Sequence, residues 1–393
     1  MADKHHSLVR QTYLPYGKQW IDDDDIQAVI DVLKSDYLTT GPAVERFEKA
    51  FSQYVDAKYA VAFSNGTAAL HGACFVAGIE PGDEVITTPM TFVASANCVL
   101  YQGGKPVFAD INQRTYNIDV EKVKQLITPK TRAVIPVDFT GQPCDLDELL
   151  SIAKQHNLVV IEDAAHALGA TYKDRKVGSI SDMTMFSLHP VKHMTTGEGG
   201  IITTNNKDYY EKLVQFRSHG ITRERSKLLH DHGPWYYEMQ HLGFNYRMTD
   251  IQAALGLSQL KKVEQFIKIR KKYVSIYNEA FRGWREFVSP FQALDRQSSW
   301  HLYVIRLNLE ALTGSRKEVF EALQHENIGV NVHYIPVYYQ PYYQELGYQK
   351  GLCPNAEEVY EAIITLPLFP AMSERDVQDV ITAVKKIISL YSR

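Results

Sequence analysis

Cysteine is scarce in this chain and never paired. Cys74, Cys98, Cys144 and Cys353 are the only four in 393 residues. None forms a Cys-x-x-Cys spacing, so neither a zinc ribbon nor a disulfide framework is expected. Isolated thiols of this kind read as small buried residues of a reducing compartment. Long apolar runs are also missing. No stretch approaches the ~20 residues a membrane helix needs, and the opening "MADKHHSLVRQTYLPYGKQW" has no signal-peptide core. A cytoplasmic protein with no membrane partner is the expectation. Charge of one sign is lacking too: 42 Lys and Arg against 46 Asp and Glu leave a net charge of −4. Nothing there attracts nucleic acid. The basic run "IRKKY" near residue 269 falls in a helical pattern and reads as a solvated face.

Several motifs are absent as well. There is no Gly-x-Gly-x-x-Gly dinucleotide fingerprint, which argues against a dehydrogenase, and no P-loop. No internal repeat, low-complexity linker or appended DNA-binding segment interrupts the chain. The 14 histidines raise the question of a metal. His189 and His193 have i,i+4 spacing, but Pro190 and the glycines after Thr196 oppose the helix that would align them. His5 and His6 belong to the terminal tail. No metal site is expected.

What is present is an ordinary globular composition, 45% hydrophobic and 22% charged, in a chain too long for one small core. From about residue 20 to 250, helical patterns alternate with short apolar runs. "KYAVAFS", "DEVITTP", "KPVFADI", "TRAVIPVDF" and "LVVIEDA" lack strict alternation, as strands buried on both faces do. Their separation by helices implies a mostly parallel sheet. Near Thr249 the pattern changes. Thr249 and Gln252 form a capping box that opens one long helix through "TDIQAALGLSQLKKVEQFIKIRKKYVSIYNEAF". Beyond it, "WHLYVIRL" and "TLPLFP" read as strands and "GVNVHYIPVYY" as a strand and turn, and Ser373, with Asp376 at the third position, caps a final helix with Val377, Val380, Ile381, Val384, Ile387 and Ile388 on one face. Two α/β domains follow: residues 1–250 with the large sheet, and residues 251–393 with the long helix and a smaller C-terminal unit.

In an open parallel sheet, ligands bind beyond the carboxyl ends of the strands. Three such ends carry unusual residues. "AFSNGTAAL" starts a helix at Ser64, Asn65, Gly66 and Thr67, which suits either an anion or an ordinary cap. "LVVIEDAAHALG" ends an apolar strand on Asp163, with His166 three residues on. That carboxylate needs a partner, or it serves as an N-cap. "FSLHPVKHMTTGEGG" sets Lys192 in turn chemistry between two strands. An anion-binding helix start, a carboxylate and a loop lysine together match pyridoxal 5′-phosphate: its phosphate needs amides and hydroxyls, its ring nitrogen a carboxylate, and its aldehyde a lysine.

The chain resembles the DegT/DnrJ/EryC1/StrS sugar aminotransferases. "SNGTAAL", "TPMTFVASANCVLYQGGKPVFADI", "IEDAAHALGA", "FSLHPVKHMTTGEGG", "FRSHG" and "GFNYRMTDIQAALGLSQL" stand in that family's order, and the likeness runs from about residue 12 to 390. It implies the pyridoxal phosphate fold of type I, like that of aspartate aminotransferase. Lys192 is then the lysine that joins the cofactor and moves the substrate proton, and Asp163 the partner of the ring nitrogen. The resemblance further puts His166 beside the phenolic oxygen and Phe92 on the ring face, although Phe92 also reads as a core aromatic. Gly66, Thr67 and Ser187 would hold the phosphate. Asn245 would reach the phosphate across the interface of a homodimer. "YLPYGKQWIDDDDIQAVIDVLKSDYLTTGP" and "VNVHYIPVYYQPYYQEL" narrow the likeness to the pseudaminic-acid branch, with L-glutamate as donor and a UDP-linked 4-keto sugar as acceptor. Thr40 stands where glutamine is common in that branch. Tyr16, His333, Tyr334 and Tyr338 are the candidate substrate contacts, with packing as the competing role of the tyrosines. The other readings are an aminotransferase for another nucleotide-linked keto sugar and a non-catalytic ligand-binding regulator. A dehydratase of this fold would carry histidine in place of Lys192.

Overall fold

A computed structural model describes residues 8–393; His5 and His6 lie outside the described residues. The first two helices, α1 (Asp23–Leu33) and α2 (Pro42–Tyr54), begin as their sequences dictate. Asp22 and Asp25 make a reciprocal capping box, and Pro42 occupies the first turn of α2. The central sheet is then laid down as β1 (Tyr59–Phe63), β2 (Glu84–Thr87), β3 (Lys105–Phe108), β4 (Thr131–Ile135) and β5 (Val159–Asp163). The strands Met183–Ser187 and Gly200–Thr204 complete it.

The spatial order is β1, Gly200–Thr204, Met183–Ser187, β5, β4, β2, β3. Only Gly200–Thr204 runs against its two neighbours. The remaining strands are therefore parallel, and Phe63, Ser187 and Asp163 end on the same edge. The apolar runs behave as two-sided strands should: Val61, Ala62, Phe63, Val160 and Ile161 are all fully buried. Helices α3 (Gly66–Val76), α4 (Ala94–Tyr101), α5 (Val120–Leu126), α6 (Leu146–His156) and α7 (Lys207–Phe216) connect or flank them.

The long helix read from the sequence is two helices. α8 (Asp250–Leu260) starts at the Thr249–Gln252 capping box, and α9 (Val263–Ala280) resumes after a break at Lys261 and Lys262. No glycine or proline causes the break. Lys262 pairs with Asp22 and Asp25, while the Gln259 amide donates to Trp20 O and to Asp25 Oδ2 at 2.9 and 2.6 Å. These contacts tie the junction to the start of α1. They come from residues more than two hundred positions away, so local periodicity carried no sign of them.

A three-stranded antiparallel sheet of Phe287–Val288, Tyr303–Leu307 and Ile363–Leu366 follows, packed with α10 (Arg316–His325) and the closing helix Glu374–Tyr391. The segment "GVNVHYIPVYY" is not a strand of that sheet. It makes one bridge, Asn331 to Thr365, and then a 3-10 turn at Val337–Tyr339. Asn331 turns its side chain onto the amide of Val332, and Pro336 has no donor to offer. The segment thus passes over the large sheet as an irregular chain. Among the described residues, no helix is long and apolar enough to cross a membrane.

Candidate active site

Lys192 sits on a closed loop between the strands Met183–Ser187 and Gly200–Thr204. The amide of Leu188 donates to Gly199 O at 2.9 Å, and that of Thr196 to Leu188 O at 3.0 Å. Thr195 Oγ1 also donates to Leu188 O, and it accepts from Gly197 N at 2.9 Å. The two threonines so conspicuous in the sequence therefore satisfy the loop's own backbone. None of these bonds uses the Lys192 side chain.

Burial pushes the Lys192 amine down to about 8 from the ordinary 10.5, with the Asp163 carboxylate opposing that shift. A lysine near 8 is partly neutral at physiological pH and can take up or release a proton. It also links stability to pH. Between about 8 and 10.5 the folded chain has lost a proton that the unfolded chain keeps, so stability rises with pH across that window. Thermal denaturation of the apoprotein should show this rise, and Lys192→Met should lack it.

Asp163 ends β5 and is 4% exposed. Its Oδ2 accepts from Ser95 Oγ at 2.7 Å and its Oδ1 from Ala165 N at 3.1 Å. The second bond closes a local turn, since no helix follows Asp163 for it to cap, and the first is a tertiary contact. Burial raises this carboxyl's affinity for a proton, while the Ser95 and Ala165 donors and the charge of Lys192 lower it. Beside it, His166 is buried with Nε2 3.1 Å from the Tyr334 hydroxyl and Nδ1 without a partner. The His301 ring lies 4.5 Å from the His166 ring, and His193 lies 5.5 Å beyond His301. Burial, then neighbouring positive charge, holds all three imidazoles neutral. They do not form a metal cage: among the described residues, no group of three acidic, histidine or cysteine side chains has that arrangement.

The helix start at β1's end is built for close approach. Asn65 caps α3 by accepting from Ala68 N at 2.8 Å, which leaves the amides of Gly66 and Thr67 free of helical partners. Gly200 lies directly against this turn. A Cβ there would meet Asn65 O at 2.6 Å and Gly66 Cα at 2.7 Å, both backbone atoms that cannot swing away. Gly200→Ala is expected to cost about 1–3 kcal/mol through overpacking and to weaken phosphate binding, measured by denaturant unfolding and by cofactor titration. Ser187, at the end of its strand, is within the same neighbourhood: its Oγ would lie 3.7 Å from a Cβ on Gly66.

Phe92 follows β2 and is 60% exposed, so it is not a core aromatic in this chain. Tyr16 packs on His333 with ring centroids 5.4 Å apart, and His333 Nδ1 lies 2.8 Å from Thr365 Oγ1. Tyr334 reaches the site through His166. Tyr338 does not. It is fully buried, donating to Glu357 at 2.6 Å and accepting from Cys353 N at 3.2 Å. With its hydroxyl committed and its ring against Phe108, it is a packing residue of the tyrosine cluster, not the substrate contact expected from the sequence. Asn245 is exposed and bridges Ser218 at the foot of the segment 221–242. Nothing in the sequence marks Ser95, Gly200 or His301, and it raises His193 only as a metal ligand. Ser95 lay inside the quoted run "TFVASANC", but nothing local marks it as a partner of Asp163.

The residues present fit pyridoxal phosphate. A buried carboxylate with a nearby lysine, an orphaned buried imidazole nitrogen, an exposed phenylalanine and unpartnered helix-start amides are costly or unused without such a group.

A profile of the DegT/DnrJ/EryC1/StrS aminotransferase family matches residues 19–385. The spore coat polysaccharide biosynthesis protein SpsC of Bacillus subtilis is 44% identical over 381 residues, 96% of this chain and 98% of its own. The UDP-4-amino-4,6-dideoxy-N-acetyl-beta-L-altrosamine transaminase of Campylobacter jejuni is 39% identical over 367 residues, 92% of this chain and 94% of its own. Among solved structures, Helicobacter pylori PseC, an aminotransferase involved in the biosynthesis of pseudoaminic acid, superimposes with a TM-score of 0.90 at 33% identity, covering 96% of this chain and all of its own.

Proposed function

The chain belongs to the DegT/DnrJ/EryC1/StrS aminotransferase family, and from that premise we propose that it carries the amino group of L-glutamate to C4 of a UDP-linked 4-keto-6-deoxy-L-N-acetylhexosamine. The product would serve pseudaminic acid synthesis. The chain is a sugar aminotransferase, and aminotransferases of this family depend on pyridoxal 5′-phosphate. The observation that carries the reading is the buried Asp163 with Lys192 near enough for each charge to shift the other's proton affinity.

Held here, the cofactor would supply an electron sink for the carbon that gains or loses the amine. The chain's residues would do the rest. Asp163 would hold the proton of the ring nitrogen, and an anion in a buried setting does so strongly. Lys192, with its amine near 8, would take the proton from the amine-bearing carbon and return it on the other side of the transfer. The amides of Gly66 and Thr67 with the Ser187 hydroxyl would bind phosphate at the positive end of α3. Phe92 would cover a ring face, and His166 would present its free Nδ1 to the phenolic oxygen. Tyr16, His333 and Tyr334 would border the sugar.

The reading includes a second copy of the chain, which would bring its Asn245 to the phosphate. The adjoining segment supports this: Leu229, Trp235, Met239 and Leu242 are 85%, 71%, 64% and 74% exposed, apolar surface that a partner would cover.

Glutamate added to the loaded protein should bleach its visible absorbance. After glutamate is removed, the UDP-4-keto-6-deoxy-L-sugar should restore the absorbance with equal formation of amino sugar. Bleaching without recovery would redirect the acceptor to another nucleotide-linked keto sugar. No bleaching by any amino acid would remove the aminotransferase reading.

A further inference from the structure

Asp163 is the end of a chain of hydroxyls. Thr91 Oγ1 lies 2.7 Å from Ser95 Oγ, and Ser95 Oγ lies 2.7 Å from Asp163 Oδ2. Thr91 and Ser95 are 3% and 1% exposed, so water does not compete for either bond. The direction of the chain follows from proton counting. An ionised carboxylate only accepts, so the single Ser95 proton goes to Asp163, and Ser95 must then accept from Thr91. The backbone acceptor within reach of Ser95, Phe92 O, is longer at 3.4 Å. Ser95 thus points its proton at the buried carboxylate and Thr91 points its own at Ser95, and in a buried setting such consecutive bonds strengthen one another.

The placement adds to this. Thr91 and Phe92 belong to the link between β2 and α4 and Ser95 to the first turn of α4, so the phenylalanine and the two hydroxyls lie within five residues of one another. The turn is pinned by Ser95 N donating to Phe92 O at 3.3 Å.

We propose that Ser95, backed by Thr91, is a positioning residue that keeps the Asp163 carboxylate ionised and aimed at the cofactor's ring nitrogen. The proposal deepens the function above and rests on the assignment of Asp163 to that nitrogen. Burial drives Asp163 toward its neutral form; the Lys192 charge resists this, and among the described residues its carboxylate has two hydrogen-bond donors, Ser95 and the Ala165 amide. Ser95 is the one side-chain donor of the pair, and its removal leaves the Ala165 amide alone on the carboxylate.

The test compares Ser95→Ala, Ser95→Thr, Thr91→Val and Asp163→Asn as holoenzymes. Two quantities are read: the pH midpoint at which the bound cofactor's visible absorbance changes, and kcat against KM for transamination. A ring nitrogen that holds its proton less firmly places less positive charge on the cofactor, which makes its titrating nitrogen more basic. Ser95→Ala should therefore raise the midpoint by about half a pH unit or more and lower kcat about 10-fold, with KM for the keto sugar within about 2-fold. Thr91→Val should shift the midpoint in the same direction by less, and Ser95→Thr should restore it. A wild-type midpoint and kcat in Ser95→Ala, or a loss of thermal stability with no midpoint shift, would overturn the proposal. If Ser95→Ala does not fold, Thr91→Val decides by the same criterion. Asp163→Asn separates the two assignments. If it leaves the midpoint unchanged, the role of Asp163 itself fails; if it shifts the midpoint while Ser95→Ala does not, only the hydroxyl chain fails.

Discussion

Lys192→Ala should lose steady-state transamination by about 10⁴-fold or more while the chain keeps its fold. Both halves of that expectation come from the loop. The backbone bonds of Leu188, Thr195, Thr196 and Gly199 close it without the lysine side chain, so truncation leaves the loop's hydrogen bonding intact. The amine is the group brought down to about 8, and no neighbour can replace it as a proton carrier. His166, His193 and His301 are buried and held neutral, and His193 is further committed to Ser299 O at 3.1 Å. Melting of the apoprotein should match or exceed the wild type at pH 7, because a lysine that burial disfavours in its charged form has been removed. Steady-state kinetics beside thermal denaturation checks both parts. Appreciable turnover in a folded Lys192→Ala protein would sink the assignment.

Asp163→Ala should cost about 10³-fold in kcat with a smaller change in KM for the sugar. The carboxylate's contribution is charge placed in a dry setting, where an ion interacts far more strongly than in water. Its loss has a second consequence. Ser95 would then have no carboxylate to donate to, and its proton would turn to Phe92 O, now 3.4 Å away. Retention of phosphate binding is expected, since Gly66, Thr67 and Ser187 lie at different strand ends. Cofactor titration of the variant should therefore show a modest loss of affinity beside the large loss of rate. A rate within about 10-fold of wild type would mean that the ring nitrogen is served by another group.

The sequence read well wherever the determining contact is local. The boxes at Thr249–Gln252 and Ser373–Asp376 each span three residues, and their side chains and amides meet as the spacing requires. The two-sided apolar runs form the strands of a mostly parallel sheet, and the six ordered motifs carry the family. The acceptor was less legible. In "LTTGP", Thr40 adopts a left-handed backbone with φ of 55°, and its hydroxyl donates to the neighbouring Thr39 O.

What the sequence by itself determined is the list of chemical groups and their order along the strand ends: Asn65 and Gly66, Asp163, then Lys192. Their common edge follows from strand direction, which short apolar runs and helical crossovers dictate. Tertiary structure alone decided who partners them. Ser95 meets Asp163 across 68 residues and Tyr334 meets His166 across 168, and the fold turned Tyr338, four positions further on, into the interior. It also broke the long helix at Lys262 through a contact 240 residues distant. The physical reason is the same in each case. A cap or a strand face is fixed by neighbours on one element, whereas a buried polar group takes whichever partner the packed chain brings to it.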